Sequence, residues 1–184
     1  MIAYVFWHWK ADRVPAGTYE TLARNFHSVL RAAPSTEFVG SFAFAISGAP
    51  WIPDGRPAYE DWYLLETSAG LDALDRAAVS PPRLEPHDAI AGAVDAGTAG
   101  LYKLRSGTPL PDATRALWFR KPAGMSYAAL DAVLEPLRRA TAIAIWSRQM
   151  VLGPAPEFCI HSREPVAAPP PIQARPHALR PLEL

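Results

Sequence analysis

The chain has 184 residues, 49% of them apolar, with six Trp; Lys plus Arg and Asp plus Glu number 18 each, for a formal net charge of zero. A chain so balanced carries no electrostatic footprint for a phosphate backbone or an anionic lipid surface, which argues against nucleic acid as the main partner. The length suits one large domain or two small packed ones, and the apolar share is enough for a sizeable core.

Residues 2–9, IAYVFWHW, are aromatic and β-branched, too short for a core helix, and closed by KADR and Pro15: a strand. In TYETLARNFHSVLRAA (18–33), Tyr19, Leu22, Phe26 and Leu30 recur at helical spacing, with Thr18 and Thr21 near the N-terminus. FVGSFAFAIS (38–47) alternates bulky and small side chains with the period of two of a strand. GAPWIPDGRPAYED, holding Trp51, Asp54 and Arg56, is a Gly- and Pro-dense loop long enough for a lid or an interface arm. DWYLLET (61–67) is a third strand, SAGLDALDRAAV a second helix, HDAIAGAVDAG holds a further helical turn, and GLYKLRS (100–106) is a fourth strand. The order is β-α-β-β-α-β, in which two interlocked βαβ halves give a four-stranded antiparallel sheet with both helices on one face.

The pattern then restarts with a strand at 115–121, a helix at 125–140 and strands at 140–152 and 157–162. Residues repeat along with elements. Trp7 and Lys10 match Trp118 and Lys121; PAG at 15–17 matches PAG at 122–124; with a one-residue shift Tyr19, Leu22, Arg31 and Ala32 match Tyr127, Leu130, Arg139 and Ala140. YLLET (63–67) stands opposite FCIHS (158–162), which makes Glu66 and His161 equivalent positions. The expected fold class is α+β, with ferredoxin-like units at 1–107 and 113–163 and a Pro-rich arm at 164–184. The second unit lacks a second helix and a closing strand, and the arm, EPVAAPPPIQARPHALRPLEL, is expected as polyproline II or disorder rather than helix or central strand. Its apolar residues Val166, Ile172, Leu179, Leu182 and Leu184 suit docking on a surface, with a neighbouring subunit as one possible host.

This tandem order resembles the dimeric α+β barrel superfamily, in which two such units pack their open sheet faces together within one chain or across a dimer. The superfamily includes monooxygenases, haem-degrading and haem-binding enzymes, lactone isomerases and proteins without known activity. The resemblance implies a ligand-sized apolar cavity with a few polar groups, and the truncated second unit points to a homodimer that supplies the missing wall.

In a ferredoxin-like sheet the end of the first strand runs beside the start of the third. His8 and Lys10 are therefore expected near Glu60, Asp61 and Trp62. A His beside a carboxylate is held in one tautomer with raised basicity, which suits general acid–base work; a surface ion cluster at a strand end is the structural alternative. The candidate catalytic residues are His8, Asp61, Glu66 and His161, and the candidate ligand-binding residues are Trp7, Trp9, Trp62, Trp118 and Trp146. His27 is expected to be a partly exposed helical residue and His87 a loop or helix-start residue. No His or Cys pair has metal-ligand spacing, no nucleotide-binding or nucleophile-elbow motif occurs, and no cofactor is called for.

Cys159 is the single cysteine, so no intramolecular disulfide is expected, and its place in a strand suits an inert buried thiol. The segment MIAYVFWHWK lacks the features of a signal peptide and no apolar run is long enough to span a membrane, so a cytoplasmic protein is expected. Two functions compete. One is a barrel that binds a small apolar or aromatic molecule, as a cofactor-independent monooxygenase or an isomerase on an aromatic or polyketide-like compound. The other is a non-catalytic association module whose aromatic faces serve packing and dimerisation.

Overall fold

A computed structural model describes residues 1–139 and 142–184. Residues 140 and 141, the end of the expected 125–140 helix and the start of the expected 140–152 strand, lie outside the described residues, as does the Ala32–Ala140 match. Strand β1 (Ile2–Lys10) leads to α1 (Ala16–Ala32), which begins directly after Pro15 and buries Tyr19, Ala23, Phe26, His27 and Leu30 as one stripe. Strands β2 (Phe38–Ile46) and β3 (Ala58–Leu65) follow, then α2 (Gly70–Ala78), α3 (Leu84–Ala91) and β4 (Val94–Gly107). The second half contains β5 (Arg115–Phe119), α4 (Tyr127–Arg138), β6 (Ile143–Arg148) and β7 (Phe158–Ser162), and the C-terminal segment adds β8 (Ala174–Ala178) and β9 (Arg180–Pro181). No helix among the described residues is long and apolar enough to cross a membrane.

Several element ends differ from expectation, such as β5 and β6, which stop at Phe119 and Arg148, and two starts differ for clear physical reasons. β3 starts at Ala58, inside the stretch expected as loop, because Tyr59 and Glu60 pair with both β1 and β2. β4 starts at Val94 instead of residue 100, and Gly97 and Gly100 in it leave room for rings from β1. A Cβ at Gly97 would sit 2.5 Å from the Phe6 ring, and one at Gly100 would sit 3.1 Å from the Trp7 ring.

All strand pairs are antiparallel, in the order β8-β5-β7-β6-β4-β1-β3-β2-β9. Only Leu179 separates β8, which pairs with β5, from β9, which pairs with β2. The two ends of the sheet are thus joined by continuous chain, and the sheet closes on itself. The N–H of Leu179 donates to Thr114 O and that of Leu182 to Ala43 O, each at 2.9 Å. Each tail strand pairs on one side, so the missing N–H groups of Pro176 and Pro181 cost no ladder bond there.

This corrects the reading of the tail. Strand order is β4-β1-β3-β2 in the first half and β8-β5-β7-β6 in the second, so the tail fills the place that β4 fills in the first. The second half does have a closing strand, supplied by its own chain after a Pro-rich detour. That detour also replaces the absent second helix: Ile172 is buried, and Val166, Ala168 and Ala174 pack beside it, on the outer face of the second half. The uncovered wall that called for a second subunit is covered within the chain.

Alternation along the strands sorts side chains into an interior and two outer layers. Ala3, Val5, Trp7 and Trp9 point into the barrel, where Trp62, Trp118, Trp146, Tyr102, Phe42 and Phe44 fill the centre. Ile2, Tyr4 and Phe6 face the layer under α1–α3. Trp7, Trp62, Trp118 and Trp146 are each at most 1% exposed, and truncation of such a residue to Ala costs about 3–5 kcal/mol.

Candidate functional site

Because successive residues of a strand face opposite ways, adjacent acids on β3 enter different worlds: Glu60 points into the barrel and Asp61 toward the helices. The expectation that both approach His8 is therefore half met. His8 reaches Asp61, and Trp7 reaches Glu60.

Beneath α1, Asp61 Oδ2 lies 3.1 Å from His8 Nε2 and 3.3 Å from His27 Nε2, and it accepts a 2.9 Å hydrogen bond from the Tyr63 hydroxyl. The N–H bonds of the imidazoles do not aim squarely at the oxygen, so these contacts are chiefly electrostatic. The other carboxylate oxygen, Oδ1, is buried and has no partner. Each imidazole is held from behind: His8 Nδ1 pairs with the Tyr19 hydroxyl, and His27 Nδ1 lies 2.7 Å from Ser41 Oγ. Burial pushes the Tyr19 phenol well up, with Asp61 adding to the effect, so the phenol keeps its proton. Burial works to raise the Asp61 carboxyl, but the charges of His8 and His27 and their contacts outweigh it and hold it well below the usual range.

This cluster floors a cavity of about 490 Å³ between the outer face of the sheet and α1–α3. Tyr4, Phe6, Phe26, Leu74 and Ile90 form apolar walls; Asp72, Asp75 and His87 add polar groups. The size and the mix of apolar wall with a few polar groups are those of a small-molecule site. Phe6 stacks on the His8 ring at 4.8 Å and fixes its plane.

His27 was expected to be partly exposed; it is fully buried. The α1 stripe is wide enough to carry Phe26 and His27 together, and the carboxylate that compensates the imidazole comes from β3, out of sight of local periodicity. His87 lies inside α3 and lines the cavity, 3.1 Å from Asp88 Oδ1.

Inside the barrel, Glu60 accepts hydrogen bonds from the indoles of Trp7 at 2.5 Å and Trp62 at 2.6 Å. Burial raises its carboxyl to about 7 despite those donors. His161 Nε2 lies 3.9 Å from Glu60 Oε1, neither ring nitrogen has a hydrogen-bond partner, and burial lowers its pKa to about 3, so it is neutral. Rings close around it, with Trp62 at 4.7 Å and Phe44 at 5.5 Å.

The remaining candidates separate from the cavity. Glu66 is exposed, one residue past β3, and is not brought to His161. The registers show why: Val5 faces Trp62 and Ala116 faces His161, so with Trp7 matched to Trp118 the counterpart of His161 is Trp62. Trp7, Trp9, Trp62 and Trp146 belong to the packed interior, and Trp118 also borders a second opening at the barrel end. Cys159 is buried, with its thiol pushed well up by burial. Among the described residues no three His, Cys, Asp or Glu side chains converge in a way that could hold a metal ion.

Fold and cavity together define an α+β barrel closed on itself, with a polar-floored pocket beneath its helices. No family model matches the chain and no curated protein matches it. Among solved structures, one named as a candidate monooxygenase from Fusobacterium nucleatum aligns over 99% of this chain and 92% of its own, with a TM-score of 0.64 at 8% identity. That likeness shows the fold. A protein from Arabidopsis thaliana aligns over 60% of this chain and 100% of its own (TM-score 0.45, 14% identity). An anthrone oxidase-like protein aligns over 100% and 94% (TM-score 0.47, 9% identity). Neither of these looser overlaps carries an argument.

Proposed function

We propose that the chain binds a small apolar or aromatic molecule in the cavity under α1–α3 and acts on it by proton transfer, as a cofactor-independent monooxygenase or an isomerase. The observation that carries this reading is the buried Asp61–His8 ion pair, 3.1 Å apart, on the floor of an otherwise largely apolar cavity. A carboxylate in such a setting favours a ligand that brings a hydroxyl or N–H to the polar floor and apolar surface to the walls. The substrate class is thus a largely apolar compound with one acidic O–H or C–H, such as a polycyclic phenol or an enolisable ketone. Asp61, the carboxylate on the cavity floor, accepts the proton; His8 and His27, both facing its Oδ2, and the Tyr63 hydroxyl set its charge and orientation.

The resemblance of the fold to a structure named as a candidate monooxygenase supports an oxidative outcome, in which the deprotonated ring or enolate gives electrons to O₂. Return of the proton at another carbon would be isomerisation instead. The shared strand order of the two halves supports reading residues 1–107 and 113–163 as two ferredoxin-like units, the second completed by 164–184. With the barrel interior filled by rings, the packing role assigned to an association module falls to that interior, and the binding role to the outer cavity.

The test is oxygen uptake and absorbance change with a panel of polycyclic phenols and enolisable ketones. For any compound turned over, His8→Gln is expected to lose about 10²–10⁴-fold in kcat/KM with the fold intact. Unchanged turnover in that variant would contradict the role given to His8.

A further inference from the structure

A second cavity, of about 740 Å³, opens at the barrel end and shares no lining residue with the first. Its builders are the β2–β3 loop (Trp51), the end of β5 and the turn after it (Trp118, Arg120, Lys121), and β8 (Arg175). The loop plugs the barrel, with Ala49 and Ile52 buried in the interior cluster and Trp51 edge-on to Trp118 at 4.9 Å and to Trp7 at 5.7 Å. The Trp51 indole N–H is buried and has no acceptor.

Charge at this opening is one-sided. Arg120, Lys121 and Arg175 all line it and no carboxylate does, although the whole chain has equal numbers of acids and bases. Strand pairing sets Arg175 opposite Trp118, two residues before Arg120, so tertiary structure gathers cations from distant positions at one mouth. Like charges so gathered repel, and an anion between them relieves that repulsion. Lys121 is steadied by a bond from Nζ to Met125 O and by the Tyr127 ring, 5.3 Å from it. Five prolines in the wall fix its backbone before any ligand arrives, which lowers the ordering cost of binding.

We infer that this mouth is a binding site for a planar aromatic or heteroaromatic anion. The ring lies against the half-buried Trp51, and the acid group sits among Arg120, Lys121 and Arg175. Guanidinium forks match a carboxylate or a phosphate in two-point geometry, and indole faces suit a flat ring. The inference is independent of the reaction proposed under the helices.

The experiment is titration calorimetry of the full chain at low salt with 1-naphthoate, 1-naphthyl phosphate and uncharged 1-naphthalenemethanol. The proteins are the wild type, the Arg120→Gln/Arg175→Gln double variant and Ala78→Trp, which narrows the first cavity. Both arginines are exposed, so the double variant is expected to melt as the wild type does. The expected result is that at least one anion binds the wild type ten-fold or more tighter than the alcohol. That anion should lose ten-fold or more in the double variant and keep its affinity in Ala78→Trp. The tighter of the two anions identifies carboxylate or phosphate as the preferred group. Absence of binding by both anions, equal binding of the alcohol, an unchanged affinity in the double variant, or a loss in Ala78→Trp instead would each overturn the inference.

Discussion

His8 on β1 and His27 on α1 both present Nε2 to one oxygen, Oδ2 of Asp61, at 3.1 and 3.3 Å. A single buried carboxylate therefore ties strand, helix and cavity floor together. Breaking a buried ionic cluster by removing one member leaves the others uncompensated, which costs more than the cluster contributes net.

Asp61→Asn is expected to lower stability at neutral pH by about 3 kcal/mol, read from urea unfolding. The folded carboxyl lies below its ordinary 3.8, so its contribution is present above that pH and is lost as pH falls toward the folded value. The variant should accordingly show a flatter acid limb below about pH 4 than the wild type. Equal acid limbs would show that Asp61 is not held ionised by the histidines.

Glu60 runs the other way. Its folded carboxyl is raised from 4.5 to about 7, so its contribution is complete below 4.5 and is lost as pH rises through about 7. His161 opposes this, because its folded pKa is lowered from 6.5 to about 3 and it contributes above 6.5. The difference between wild type and Glu60→Gln isolates the acid: wild type minus variant should be about 2–3 kcal/mol larger at pH 5 than at pH 8. No pH dependence of that difference would mean that Glu60 titrates as an ordinary carboxylate.

Gly97 carries a prediction that links packing to the site. An added Cβ would meet the Phe6 ring at 2.5 Å and Trp7 O at 2.9 Å, and Phe6 is the ring stacked on His8. Gly97→Ala should cost about 1–3 kcal/mol in thermal or urea unfolding and shift the His8 ring resonances in NMR spectra. A stable variant with unmoved His8 signals would mean that Phe6 does not fix the imidazole.

Deletion of residues 174–184 removes the strand that joins β5 to β2. The two bared edges, together with the site vacated by the buried Leu179 and Leu182, should drive association or unfolding, seen by light scattering. A monomeric, fully folded truncated chain would show that closure by the tail is dispensable.

Element order was legible because it rests on local signals. The alternation of β1 gave its two faces, and the rule that the first strand runs beside the third brought His8 to Asp61. What stayed hidden depends on packing across distance. His27 needed the position of α1 over β3, which its own spacing does not encode. The tail reads as Pro-rich coil because nothing local says that Pro176 and Pro181 will meet strand edges on one side only. The Glu66–His161 pairing failed because two short motifs were matched by composition, whereas the registers put Trp62 opposite His161. Glu60 and Asp61 looked like one acidic pair until the early start of β3 set them on opposite faces.

The proposal that the cavity under the helices is the working site is tested most directly by mapping where a phenolic probe binds. With ¹³C-methyl labelling, saturating 2-naphthol is expected to shift the methyl signals of Leu74, Ala78 and Ile90, which line the cavity, with intermolecular contacts to the Phe6 and His8 rings. Ala78→Trp, folded as judged by its spectrum, should abolish those contacts. Unmoved methyl signals at saturating probe, or contacts confined to residues elsewhere, would contradict it.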